Sequence, residues 1–212
     1  MEFHPRTREA MAREIAMDID NGAFVNLGIG IPTMVANFIP AGREVILHSE
    51  NGILGLGPKP AKGEEDFDLI NAGKQPVTLL PGGAFFHHAD SFSMMRGGHL
   101  DIAVLGAFQV SAQGDLANWH TGEDDVIPAV GGAMDLAVGA KQVWVAMPLF
   151  TKEGACKVVA QCSYPLTAEG CATRIYTDHA TFACGPDGLR LLSLAPGLER
   201  ERLQDMLLLP LL

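Results

Sequence analysis

The amino-acid sequence predicts an α/β protein whose core is an open, mostly parallel sheet covered by helices on both faces. Three features carry that expectation: short apolar runs of strand length recur, stretches of helical periodicity fall between several of them, and glycine-rich turns close the runs. Apolar residues make up 48% of the 212 residues and charged residues 19%, a balance that supports a buried core and excludes a disordered chain. No internal repeat, linker or boundary divides the chain, so residues 1–212 read as a single domain.

Over residues 7–21, Met11, Ile15 and Ile19 recur at intervals of four with Ala12 and Ala16 beside them. That is the apolar stripe of a helix, which Gly22 can end in a left-handed conformation. Phe24-Val25-Asn26-Leu27 reads as a strand, Gly28-Ile29-Gly30 as a tight turn, and Pro32 as the opening of a second helix. Val45-Ile46-Leu47-His48 runs as a strand into the turn Ser49-Glu50-Asn51-Gly52, and Val77-Thr78-Leu79-Leu80 runs into Pro81-Gly82-Gly83. Residues 100–105 and 143–147 are further buried strands, the second preceded by a helix over 133–138. Past Ala172, residues 174–177, 181–183 and 189–194, with the turn Pro186-Asp187-Gly188, predict an antiparallel edge. Residues 199–209 predict a last helix whose leucine-rich tail must pack on the body or on a partner.

A formal net charge of -10 sets the overall field against phosphate backbones and anionic membranes. Lys59 and Lys62, in the most basic stretch, are followed at once by Glu64, Glu65 and Asp66, so no basic patch offsets that field. Neither nucleic acid nor a membrane is expected as a partner, whereas a phosphate-bearing cofactor can still use turn amides and helix N-termini. Cys156, Cys162, Cys171 and Cys184 form no close Cys-x-x-Cys pair and read as free, buried thiols. The N-terminus lacks a leader pattern, and no apolar run approaches the roughly 20 residues that span a bilayer, so a reducing, cytoplasmic setting is expected.

Glu50 follows three apolar residues and a histidine, in a turn whose glycine can take φ values closed to other residues. By pattern alone it is either a functional carboxylate or one that caps the turn, and Asn51 and Gly52 are ordinary turn residues. Gly28 with Gly30, and Gly82 with Gly83, either let backbone approach a cofactor or only permit tight turns. None of these segments matches a phosphate loop or the full dinucleotide fingerprint. Gly131-Gly132 before Ala133 reads first as the flexible start of a helix, with a ligand contact as the alternative. His87, His88, Asp90 and His99 match no known ligand arrangement, so no metal is expected. Arg96 either neutralises a carboxylate or fixes a turn, and Trp119 reads as a packing residue.

The run Ser49-Glu50-Asn51-Gly52-Ile53-Leu54-Gly55-Leu56-Gly57 and the later Asp68-Leu69-Ile70-Asn71-Ala72-Gly73-Lys74 resemble the beta subunit of class I 3-oxoacid coenzyme A transferases. So do Asp90-Ser91-Phe92-Ser93-Met94-Met95-Arg96-Gly97-Gly98-His99, Leu105-Gly106-Ala107-Phe108-Gln109-Val110-Ser111, Gly114-Asp115-Leu116-Ala117-Asn118-Trp119 and Gly131-Gly132-Ala133-Met134-Asp135-Leu136. These blocks keep the family order and nearly its spacing from about residue 22 to residue 178. The resemblance implies a three-layer α/β/α fold with an open, mostly parallel sheet and antiparallel strands toward the C-terminus. It also implies that the Glu50 carboxylate attacks an acyl-CoA thioester and comes to carry coenzyme A as a glutamyl thioester. By motif position the amide of Gly132, helped by Ala133, resembles the family's oxyanion contributor, while a glutamine of the other subunit supplies a side-chain donor. No tightly bound cofactor is implied, because coenzyme A is both substrate and covalent intermediate. The implied partner is the alpha subunit, in a heterodimer or an α2β2 heterotetramer.

Within the family, the stretch from Gly73-Lys74-Gln75-Pro76 through Val77-Thr78-Leu79-Leu80-Pro81-Gly82-Gly83 to Ala84-Phe85-Phe86-His87-His88 looks most like enzymes that move coenzyme A from succinyl-CoA to 3-oxoadipate in aromatic catabolism. Ser163-Tyr164-Pro165-Leu166-Thr167 and Arg174-Ile175-Tyr176-Thr177-Asp178 point the same way. The alternative acceptor is acetoacetate or another 3-oxoacid; the alternative of another class is a noncatalytic partner that keeps the fold. A sugar-phosphate isomerase would need an acid–base carboxylate pair not found in the sequence. A dicarboxylate acceptor requires an extra cationic or amide contact at its far end, to which the sequence assigns no residue. Relatives commonly carry Met-Glu-His where this chain has Met147-Pro148-Leu149-Phe150, a departure that bears on substrate preference or a subunit contact.

Overall fold

In the computed structural model, which describes residues 2–122 and 129–212, Thr7 opens the first helix. Its hydroxyl accepts from the Ala10 amide at 3.1 Å, satisfying one of the amides a helix start leaves unpaired. Along the chain run α1 (Arg8–Asp18), β1 (Phe24–Leu27), a short α2 (Ile31–Met34) that tightens into a 3-10 turn over Val35–Phe38, β2 (Ile46–Ser49), β3 (Ile53–Leu56) and β4 (Leu79–Phe85). Next come α3 (His88–Arg96), β5 (Ile102–Leu105), β6 (Gln109–Ser111), β7 (Leu116–Ala117), α4 (Ala133–Gly139) and β8 (Gln142–Ala146). The chain closes with β9 (Val158–Val159), β10 (Ala172–Tyr176), β11 (Ala180–Ala183), β12 (Arg190–Leu194) and α5 (Arg200–Met206).

Nine strands form one sheet in the order β12-β11-β10-β8-β5-β1-β2-β3-β4. The five central strands, from β10 to β2, are mutually parallel. The expected antiparallel edge is present in β11 and β12. A second one, β3 with β4, was not foreseen, although it follows from the turn at Ser49–Gly52: so tight a connection can only return the chain antiparallel. Pro81-Gly82-Gly83, expected as a turn, lies inside β4, where an edge position spares the proline a ladder bond. Another sheet, β7-β6-β9, is built from strands of two or three residues, too short for an alternation to be read.

Alternate residues of the central strands feed two cores, as the period of two requires. Val25, Leu47, Val104, Trp144 and Tyr176 meet Met11 and Ile15 of α1 on one face. Ala103, Leu105, Val143, Val145 and Ile175 meet Met95 of α3, Leu136 of α4 and Leu203 of α5 on the other. Three layers result, with β2 and β5 carrying the loops between them.

The chain ends are tied down. α1 stops sooner than its apolar stripe, because Ile19 is already extended, and Gly22, at φ 81°, serves the turn into β1. Before α1, the Arg6 guanidinium donates to Glu14, Thr181 and Ser193 at 3.0–3.1 Å, clamping the N-terminal arm to β11 and β12. In the leucine-rich tail, Leu207 and Leu209 are buried on the body while Leu208 is exposed. Among the described residues no helix is long and apolar enough to cross a membrane.

Candidate active site

The end of β2 carries the carboxylate that the sequence singles out. Glu50 and Asn51 are the two central residues of a β-turn closed by the Gly52 amide on the Ser49 carbonyl at 3.0 Å. Gly52 takes φ 106°, and any side chain there would run into the Phe86 carbonyl. The turn is held from outside as well. The Ser49 hydroxyl accepts from the Ala72 amide at 3.0 Å, and the Asn51 side-chain amide donates to the Ile70 carbonyl at 2.8 Å. That bond steadies the turn from the side of Asn51.

Across the gap stands the start of α4. A methyl group on Gly132 would overlap Glu50 Oε2 and lie 2.9 Å from its Cδ, so the half-buried carboxylate rests on backbone that only glycine leaves bare. The Ala133 amide donates to the Val130 carbonyl at 3.2 Å. Among the described residues no backbone carbonyl accepts from the Gly132 amide. Burial raises the Glu50 pKa above the ordinary carboxylate value; the charge of His88 lowers it and that of Asp135 raises it. Asp135, one helical turn beyond Gly132, is bound by Arg96 Nε at 2.5 Å, which settles Arg96 as the partner of a carboxylate.

These groups open onto a cavity of about 480 Å³, lined by Asn26, Gly28, Ser49, Glu50, Asn71, Asn118 and the 129–133 segment among others. It lies at the carboxyl ends of β1, β2 and β5, where open α/β sheets place their ligands. A second cavity of about 230 Å³ adjoins it, sharing Leu27, Thr33, Ser49 and Asn71. Asn37, Lys59 and Gln75 supply its further polar lining, and Gly30 borders it.

The structure therefore brings Glu50, Gly132, Ala133 and Gly28 to one cavity and Gly30 to its neighbour. Gly82 and Gly83 lie on β4 and line neither cavity. In the Met147-Pro148-Leu149-Phe150 departure, Leu149 is fully buried and its amide donates to Asp178 at 2.8 Å, while Pro148 is exposed. Trp119 packs with its indole N–H on the Leu166 carbonyl at 3.2 Å. His87 caps α3 by accepting from the Ala89 amide at 3.1 Å, and no group of three metal-binding side chains occurs among the described residues.

Sequence reasoning missed Asn26, His48, Ser91 and Asp135. A polar residue in the midst of a buried strand, as Asn26 is in Phe24–Leu27, was the available signal.

A glutamate at a strand-end turn, raised in pKa and set against backbone that only glycine leaves bare, suits nucleophilic attack on an activated carbonyl. The Coenzyme A transferase family model matches residues 8–203, and the chain belongs to that family, whose chemistry is coenzyme A transfer. It is 63% identical over 206 residues to a 3-oxoadipate CoA-transferase chain of Pseudomonas putida, covering 97% of this chain and 96% of that one. It is 46% identical over 198 residues to a succinyl-CoA:3-ketoacid coenzyme A transferase chain of Helicobacter pylori, covering 93% and 95%. Each of these two relatives is one subunit of its enzyme. Among solved structures, an acyl-CoA transferase (YdiF) from Escherichia coli O157:H7 superposes with a TM-score of 0.73 at 21% identity. That likeness covers all of this chain and 42% of the longer one, and it bears on the fold alone.

Proposed function

We infer that this chain is the catalytic subunit of a transferase that moves coenzyme A from succinyl-CoA to 3-oxoadipate, with Glu50 as nucleophile. The observation that carries the reading is the Glu50 carboxylate resting against Gly132 inside the larger cavity. The identity to a 3-oxoadipate CoA-transferase chain supports the choice of acids.

A Glu50 oxygen attacks the succinyl thioester carbonyl, the carbon–sulfur bond breaks, and the coenzyme A thiolate leaves an acyl-glutamyl anhydride. The thiolate then attacks the glutamyl carbonyl, expelling succinate and leaving coenzyme A on Glu50. A carboxylate of 3-oxoadipate takes the coenzyme A by the same two steps reversed. Each addition places negative charge on a carbonyl oxygen, and a preorganised donor there is worth about 3 kcal/mol. The Gly132 amide fills that role, with Ala133 fixing the helix start behind it. The smaller cavity, with Lys59, Asn37 and Gln75, receives the far carboxylate of the acceptor.

The partner is an alpha subunit that completes the cleft in a heterodimer or α2β2 assembly, so the chain by itself turns over no substrate. Four free cysteines agree with residence in a reducing cytoplasm. Residues 1–212 serve as one domain, and no tightly bound cofactor takes part.

The test is to assemble the chain with an alpha subunit, incubate with succinyl-CoA, and trap with hydroxylamine or borohydride. Modification confined to Glu50 supports the mechanism, and an unmodified Glu50 in a competent complex removes it. Rates with 3-oxoadipate and with acetoacetate then decide between the acids.

A further inference from the structure

We propose that His48 is a positioning residue for Glu50, a neutral imidazole with its proton on Nε2 that ties the catalytic turn to β1 and α3. The proposal rests on the reading of Glu50 as nucleophile. Its geometry, however, fixes the tautomer independently.

The Asn26 side-chain nitrogen lies 3.2 Å from the His48 carbonyl oxygen, which can only accept, so this end of the amide is the NH2 group. The same nitrogen lies 3.0 Å from His48 Nδ1. Nδ1 therefore accepts, the ring proton sits on Nε2, and Nε2 donates to the Ser91 hydroxyl at 3.0 Å. A proton on Nδ1 would set two donors face to face. Burial works in the same direction. Asn26 and His48 are each 3% exposed and Ser91 is fully buried, and the pKa of His48 is lowered to about 4 by that burial.

Each contact of the ring leads to something that holds Glu50. Asn26 lines the Glu50 cavity from β1, whereas His48 lines the neighbouring one, so the pair stands between the two. Ser91 belongs to α3, whose first residue, His88, sets its charge against Glu50. Phe86 stacks on the imidazole with centroids 6.0 Å apart, and its amide donates to the Gly52 carbonyl at 3.0 Å, clasping the end of the turn. His48 thus joins β1, α3 and the 86–87 segment directly beneath the Ser49–Gly52 turn. Its ring nitrogens are both spent on the protein, so it acts on the reaction through the placement of Glu50.

In the enzyme assembled with its partner subunit, His48→Leu keeps the bulk and loses both hydrogen bonds, whereas His48→Gln keeps one donor and one acceptor. The expected result is a kcat roughly a hundredfold lower for His48→Leu, recovery to within about tenfold of wild type for His48→Gln, and KM for succinyl-CoA within about twofold throughout. Equal losses in the two variants, no loss in either, or losses carried by KM would overturn the proposal. Should the leucine variant not assemble, Ser91→Ala removes only the Nε2 acceptor: lowered kcat at constant KM supports the role, and unchanged kcat ends it. A Glu50→Gln control separates the two readings, since full turnover there overturns the nucleophile assignment and the positioning role with it.

Discussion

Gly132 faces the Glu50 carboxylate so closely that a single methyl group on it would overlap Oε2. Gly132→Ala is therefore expected to displace the proposed nucleophile and the proposed oxyanion donor together. The assembled variant should lose on the order of a hundredfold to a thousandfold in kcat. Steady-state kinetics beside a melting curve check this, and a normal kcat would show that the contact is irrelevant to turnover.

As the proposed nucleophile, Glu50 must be ionised to attack, yet its pKa is raised by burial, lowered by His88 and raised by Asp135. Its folded-state pKa thus lies above the unfolded one. The folded chain holds the extra proton between those two values, and this group's contribution to stability is present at lower pH and lost as pH rises through the folded pKa. The acid limb of kcat/KM should accordingly lie above the ordinary carboxylate range. Asp135→Asn should move that limb to lower pH and His88→Asn to higher pH. Limbs that stay in place in both variants would contradict the assignment.

Lys59 lines the smaller cavity and makes no ion pair among the described residues. Lys59→Met should lower kcat/KM for 3-oxoadipate by about tenfold to a hundredfold, the worth of a hydrogen bond to a charged group, and leave acetoacetate unaffected. Equal losses for both acids would place the far carboxylate elsewhere.

Arg6 carries the link between the N-terminal arm and the sheet, with its side chain 9% exposed and that of Glu14 26% exposed. Burial lowers the Arg6 pKa, opposed by Glu14 and Asp178, so the charge is retained at the cost of desolvation. Truncation leaves Glu14 without its cation. Arg6→Ala should cost about 2 to 3 kcal/mol, less than a fully buried pair because Glu14 keeps some water. The melting temperature should fall by roughly 4 to 12 °C. An unshifted melting curve would show the clamp to be redundant.

The central parallel strands were legible because each is a short apolar run that is buried on both faces, as in residues 102–105 and 143–146. The Ser49–Gly52 turn and its carboxylate were legible through extended motif resemblance. By contrast, β3 carries a glycine and β4 a proline and two glycines where a strand pattern needs side chains, so their antiparallel pairing is not legible and residues 81–83 read as a turn. The Asn26, His48 and Ser91 contacts span 22 and 43 positions in sequence, and local spacing carries no trace of such pairing. Asp135 was hidden for the same reason, since its meaning depends on Arg96, 39 positions away.

The two margins of the large sheet are finished differently. On one, Pro81 withholds an amide and Gly82-Gly83 offer no side chains to interlock, so β4 makes a poor template for another strand. On the other, residues 211 and 212 fold back beside the start of β12, with the Leu212 amide on the Leu189 carbonyl at 2.9 Å and Leu211 bridged to Leu189. Side-by-side zippering of copies is thus discouraged along β4, and beside β12 the tail already occupies the place a foreign strand would take at Leu189.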